Sequence, residues 1–109
     1  MTKEEMQMIA FQIITYAGDA FADFYNSVDE AMEGHYEEAE ALIQKGNTTL
    51  NEAHKSQMDL LTAEASGEEM EYSIMMVHAQ DHLMNAINYE RLAKQMIRFV
   101  QKMEEKYGG

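Results

Sequence analysis

Between Val77 and Met84 the chain reads Val77-His78-Ala79-Gln80-Asp81-His82-Leu83-Met84, so two imidazoles, an amide and a carboxylate fall within five residues. On a helix His78 and His82 are one turn apart and point the same way. A neutral imidazole is a good nucleophile near neutral pH, and one ring nitrogen can take a phosphoryl group while the other donates a hydrogen bond. The adduct is labile, which suits relay rather than storage. The second imidazole or Gln80 can hydrogen-bond the phosphoryl oxygens. Val77, Leu83 and Met84 would help keep water from hydrolysing it. Other chemistries compete for the same residues. His-x-x-x-His can hold zinc, but a third protein ligand is needed and the glutamate of the zincin pattern is absent. A di-iron bundle needs paired Glu-x-x-His motifs, and no histidine here has a glutamate three residues before it. The plainest reading leaves both imidazoles as ordinary core or capping residues. Spacing alone leaves phosphoryl chemistry, metal binding and a structural role open. Of the remaining histidines, His35 reads as a turn or cap residue, and His54, between Glu52 and Lys55, as a weaker candidate for a functional surface.

These residues need a long helix to position them. Met70, Ile74, Val77, Asp81 and Met84 are spaced four, three, four, three, which is the seam of a coiled coil. A lone carboxylate on an apolar seam must be neutralised, paired or bound to a cation. If the seam lies on a symmetry axis, several copies of Asp81 meet there and repel, and a hard cation on carboxylate oxygen is the natural remedy. Beside the seam runs a second row of Met75, His78, His82, Asn85 and Tyr89.

Three helices are predicted. The first spans about Lys3 to Glu33, with Met6, Ile9, Ile13, Tyr16, Ala20, Phe24 and Val28 forming its apolar stripe and Gly18 loosening its middle. Gly34-His35 is the first joint. The second spans about Tyr36 to Ala65, with acids in its first turn and a stripe of Ala39, Leu42, Gly46, Leu50, Ala53, Gln57 and Leu61. Gly46 is either a close contact or a weak point. Ser66-Gly67 is the second joint, and Ser66 with Glu69 fits a capping box that starts a third helix at about Glu68 and carries it to Tyr107. The third helix would be about 60 Å long and the others about 45 Å. Short joints give an antiparallel up-down-up hairpin, a single all-α domain over residues 1–109. So thin a rod, with 46% apolar residues and 11 Met, is expected to bury a second face by self-association.

Bulk properties narrow the partners. With 109 residues, no Pro and no Cys, the chain fits long uninterrupted helices and has no disulfide or thiolate metal site. A formal charge of −12 argues against nucleic acid and anionic membrane surfaces and favours a basic protein partner. No segment is apolar and long enough to span a bilayer, and acid follows Lys3 at once, unlike a signal peptide, so a cytoplasmic location is expected.

The octapeptide from Val77 to Met84 resembles the signature of the lactose/cellobiose-type IIA proteins of the bacterial sugar phosphotransferase system. Ala17-Gly18-Asp19-Ala20 is similar to that family's turn in the first helix. Tyr36-Glu37-Glu38-Ala39-Glu40 and Asn51-Glu52-Ala53-His54-Lys55-Ser56-Gln57 resemble its second-helix segments, and Glu64-Ala65-Ser66-Gly67 its second joint. The resemblance covers nearly the whole chain. It implies a three-helix hairpin that trimerises into a nine-helix bundle. It also implies a phosphotransferase-system component whose phosphorylated histidine is His78, with Gln80 and His82 lining the phosphoryl site near the subunit boundary. Asp81 would be the carboxylate that three copies share around a divalent cation, usually taken as magnesium. HPr would donate the phosphoryl group. A cysteine of the IIB component would accept it, and the membrane IIC component would bind the sugar: lactose, cellobiose or a related β-glucoside. The contrasting possibility is a metal-binding or regulatory helical module without a relay. One departure stands out. Many members follow the first-helix turn with arginine and serine, whereas Phe21 and Ala22 stand here, which removes a charge and a hydroxyl from a surface near the active or partner site.

Overall fold

The computed structural model describes residues 1–108 and contains three helices: α1 (Lys3–Met32), α2 (Tyr36–Ala65) and α3 (Ile74–Tyr107), with no strand among the described residues. They form a rod of 60 × 20 × 18 Å. α1 is the spine: it packs along both α2 and α3, which meet each other little.

α1 starts at a capping box. The Thr2 hydroxyl accepts from the Glu5 amide at 3.1 Å, and the Glu5 carboxylate reaches back to the Thr2 amide at 3.4 Å. The helix then runs unbroken through Gly18, so the loosening expected there does not occur. Both joints end the preceding helix in the same way. Gly34 (φ 83°) and Gly67 (φ 95°) take the left-handed conformation. Their amides, and those of His35 and Glu68, bond back to the last carbonyls of α1 and α2.

The start of α3 is a correction. Ser66 does not cap a new helix with Glu69; its hydroxyl donates to the Ala63 carbonyl at 2.9 Å, as part of the end of α2. The chain stays non-helical from Glu68 to Ser73, and Ser73 is the cap, accepting from the Met76 amide at 3.3 Å. The reason lies in the neighbours. Ser73 and Ile74 already stand beside Lys3 and Met6, at the beginning of α1, so a helix begun at Glu68 would project past the rod with nothing to pack on. With 34 residues α3 is about 51 Å long rather than about 60 Å, and Met70 falls outside it.

The core joins Ile13, Ala17, Ala20, Phe24 and Val28 of α1 to Ile43, Leu50, Ala53 and Leu60 of α2 and to Ala79, Leu83, Ala86 and Ala93 of α3. Gly46 is a close contact: a Cβ there would lie 2.6 Å from the Phe24 ring, which is fully buried. Leu60, not Leu61, closes the α2 stripe, and Leu61 is exposed. On α3 the buried face is the row of alanines around Leu83. The seam expected from the heptads is uncovered, with Ile74, Val77 and Met84 exposed at 77%, 47% and 52%.

Candidate functional site

α3 presents its seam outward with one flank toward α1 and the other toward α2. His78 and His82 occupy the α1 flank, one turn apart, with ring centroids at 4.5 Å, planes at 86° and the two Nε2 atoms 3.1 Å apart. At that distance one Nε2–H donates to the lone pair of the other, so one ring holds its neighbour's tautomer. His78 is exposed and His82 half-buried. A nucleophilic imidazole is therefore open to an incoming partner, braced by a second imidazole, on a helix whose far face is locked into the core through Ala79, Leu83 and Ala86.

The same flank continues into an aromatic cluster. Tyr89 stacks against Tyr25 at 6.3 Å and tilts against Phe21 at 4.6 Å. Burial raises the Tyr89 phenol above its ordinary value, with Tyr25 and then Asp29 adding to the rise. Phe21 is one of the two residues at which the resemblance described above leads arginine and serine to be expected. In this chain it supplies an apolar ring to the cluster. Tyr89 was legible as part of the histidine row, but its packing on α1 was not, because spacing within α3 carries no information about which α1 residue stands opposite.

Gln80 does not join the imidazoles within one chain. It points to the other flank, where its amide donates to the Gln57 Oε1 of α2 at 2.7 Å and contacts the Met76 sulfur at 3.6 Å. There it lines an apolar hollow of about 250 Å³ with Leu60, Leu61, Met76 and Val77. Asp81 lies exposed on the seam between the flanks, with no hydrogen bond or ion pair among the described residues. No group of three or more His, Cys, Asp or Glu side chains that could hold a metal forms within the described residues. Asp81 alone offers an ion one carboxylate, the rest of any ligand set lying outside this chain, and zinc at His78 and His82 lacks its third ligand from this chain. A carboxylate oxygen is a hard donor, which suits a magnesium-like ion better than zinc.

His35 and His54 stand apart from this site. His35 occupies the N-cap position of α2 at the other end of the rod, but its ring turns back to α1, with Nδ1 2.7 Å from Glu30 Oε2, and that hydrogen bond raises its pKa. His54 is exposed on α2, which meets α3 through the Gln80 flank rather than the histidine flank. No described helix is long and apolar enough to cross a membrane.

Comparison with known proteins agrees with this architecture. Residues 8–101 match the family model described as "PTS system, Lactose/Cellobiose specific IIA subunit". The chain is 40% identical over 102 residues to the lactose-specific EIIA component of Staphylococcus aureus (strain N315), covering 94% of this chain and 99% of that protein. It is 37% identical over 102 residues to the corresponding component of Lactococcus lactis subsp. lactis, covering 94% and 97%. Among solved structures, the cellobiose-specific enzyme IIA of Bacillus anthracis superposes with a TM-score of 0.91 at 39% identity, over 97% of this chain and 95% of that one. PtcA from S. mutans superposes with a TM-score of 0.90 at 40% identity, over 93% and 99%.

Proposed function

This chain belongs to the lactose/cellobiose-specific IIA family of the sugar phosphotransferase system, and from that premise we propose that it accepts a phosphoryl group from phospho-HPr on His78 and passes it to a IIB component during uptake of lactose, cellobiose or a related β-glucoside. The observation that carries this reading is the exposed imidazole of His78 with the Nε2 of His82 3.1 Å from its own.

The lone pair of neutral His78 attacks phosphorus as the phosphorus–nitrogen bond of the donor breaks, and the other ring nitrogen of His78 keeps its proton. Such a transfer asks chiefly for in-line positioning and for stabilisation of the charge on the three equatorial oxygens. A rigid helix supplies the position. His82 stands where its Nε2–H can donate to a phosphoryl oxygen once the direct imidazole contact is broken. Transfer to the IIB cysteine is the same displacement with a thiolate as nucleophile.

Gln80 takes part through a second copy. On the heptad that sets Ile74, Val77, Asp81 and Met84 on the seam, His78 and Gln80 fall on opposite flanks. In a parallel bundle the opposite flanks of neighbouring helices face each other, so Gln80 of one subunit faces His78 of the next. A homotrimer about the α3 seam meets this requirement and covers the exposed Ile74, Val77 and Met84. It also gathers three Asp81 carboxylates, which would hold a divalent cation such as magnesium whose charge would offset their repulsion. The ion's role there is to neutralise charge.

The relay is tested by isolating the phosphorylated chain and adding a IIB component. The expected result is quantitative loss of the phosphoryl group to the IIB cysteine within the mixing time, with a IIB Cys→Ser variant inert. Retention of the group with active IIB present would contradict a relay.

A further inference from the structure

In its second half the α3 seam has flanks of opposite charge. On the α2 side, Arg91, Lys94 and Arg98 outnumber the single carboxylate, Glu40, in the lining of an open furrow of about 780 Å³ that also includes Ile43 and Ile97. Lys94 pairs with Glu90 at 3.8 Å, but Arg91 and Arg98 have no carboxylate within 4.0 Å among the described residues. Lys102 and Lys106 continue the row. From 91 to 106 five basic residues face two acidic ones in a chain of net charge −12. On the α1 side, the exposed edge beside Tyr89 carries Tyr25, Asp29, Met32 and Glu33, with Tyr25 and Met32 exposed at 53% and 59%. Asp29 and Glu33 form no ion pair among the described residues. α1 and α3 run parallel, and Tyr25 lies beside Tyr89, so Asp29 and Glu33 stand at the level of the stretch from Arg91 to Arg98.

We propose that the basic furrow of one copy receives the acidic α1 edge of the next, an electrostatic latch that sets the copies parallel and in register. This rests on the self-association inferred above. A second copy suits the furrow better than an acidic protein of another kind. Outside the basic row the surface is strongly acidic and repels such a partner as a whole, whereas a copy brings its acids beside an exposed apolar row of Leu92, Met96 and Phe99. Unlike flanks meeting head to tail make a heterologous interface, which forms a ring when the rotation between parallel copies closes.

The test is sedimentation velocity at low and high salt on the native chain, on Arg91→Glu/Arg98→Glu, on Asp29→Lys/Glu33→Lys, and on the chain carrying all four changes, with circular dichroism confirming helicity. Each double reversal should weaken assembly by about tenfold at low salt, since exposed pairs are individually weak and two are inverted per interface. The fourfold variant should recover native assembly, and native assembly should weaken as salt rises. Double variants that assemble like the native chain, or a fourfold variant no better than either double, would overturn the latch while leaving self-association standing. A native chain that is monomeric throughout would overturn both, whatever its phosphorylation shows.

Discussion

Gly46 and Gly18 are two helix-interior glycines that the same substitution should push in opposite directions. In a helix interior Gly→Ala is worth about 1 kcal/mol of stabilisation, because alanine has less backbone freedom to lose. At Gly18 a Cβ meets nothing within 4 Å, so Gly18→Ala should gain that amount in full. At Gly46 the new methyl would lie 2.6 Å and 2.9 Å from two atoms of the Phe24 ring. The ring is fully buried and wedged in the core that joins all three helices, so it cannot swing aside. Overpacking of this kind costs about 1–3 kcal/mol. Set against the propensity gain, Gly46→Ala should be neutral to destabilising by about 2 kcal/mol, and the two variants should differ by about 1–3 kcal/mol. At about 4 °C per kcal/mol, that is a separation of about 4–12 °C in Tm. Urea and thermal unfolding at one fixed protein concentration would measure it, the concentration being held because association shifts apparent stability. Equal stabilisation of both variants would refute the packing of Phe24 on Gly46 and with it the tight α1–α2 spine.

Three further outcomes are expected. Ser73→Ala should cost about 1 kcal/mol in urea unfolding by removing the α3 cap, whereas Glu69→Ala should cost little; the reverse order would restore the helix start at Glu68. His35 has a folded pKa raised above 6.5 by Glu30, so its contribution is complete below that value and is lost as pH rises through the raised pKa. The stability gap between the native chain and His35→Asn should therefore be full at acidic pH and close as pH rises above 6.5, and a gap that widens would reverse the assignment. Asp81→Leu should still assemble, and more tightly, in sedimentation experiments without divalent cation, since an apolar side chain replaces a cluster of like charges on the seam; dissociation to monomers would contradict the shared-cation reading.

Much of this was legible in the residues. The 3.6-residue stripes of α1 and α2, and the glycines at positions 34 and 67, mark helices and joints to within a residue or two. The start of α3 was not legible, because Ser66-x-x-Glu69 and the Ser73 cap are both chemically sound, and only the position of the first turn of α1 decides between them. The two imidazoles were legible as one-turn neighbours, and their 3.1 Å contact follows from that spacing. The direction of Gln80 was hidden by proximity in sequence. Two residues on from His78 is about 200° round the helix, nearly the opposite face, and the pairing with Gln57 depends on a second helix. The alanine row of Ala79, Ala86 and Ala93 was missed because small residues carry little hydrophobic signal, although they are what lets α3 lie close against the spine.

The central claim is that His78 carries the phosphoryl group. Intact-mass measurement after incubation with phosphoenolpyruvate, the general transferase enzyme and HPr tests it most directly, on the native chain, His78→Ala and His82→Ala. One acid-labile phosphoryl group is expected on the native chain, none on His78→Ala with its helicity intact, and a slower or shorter-lived adduct on His82→Ala. A stable adduct on His78→Ala, or no adduct on the native chain with HPr active, would contradict it.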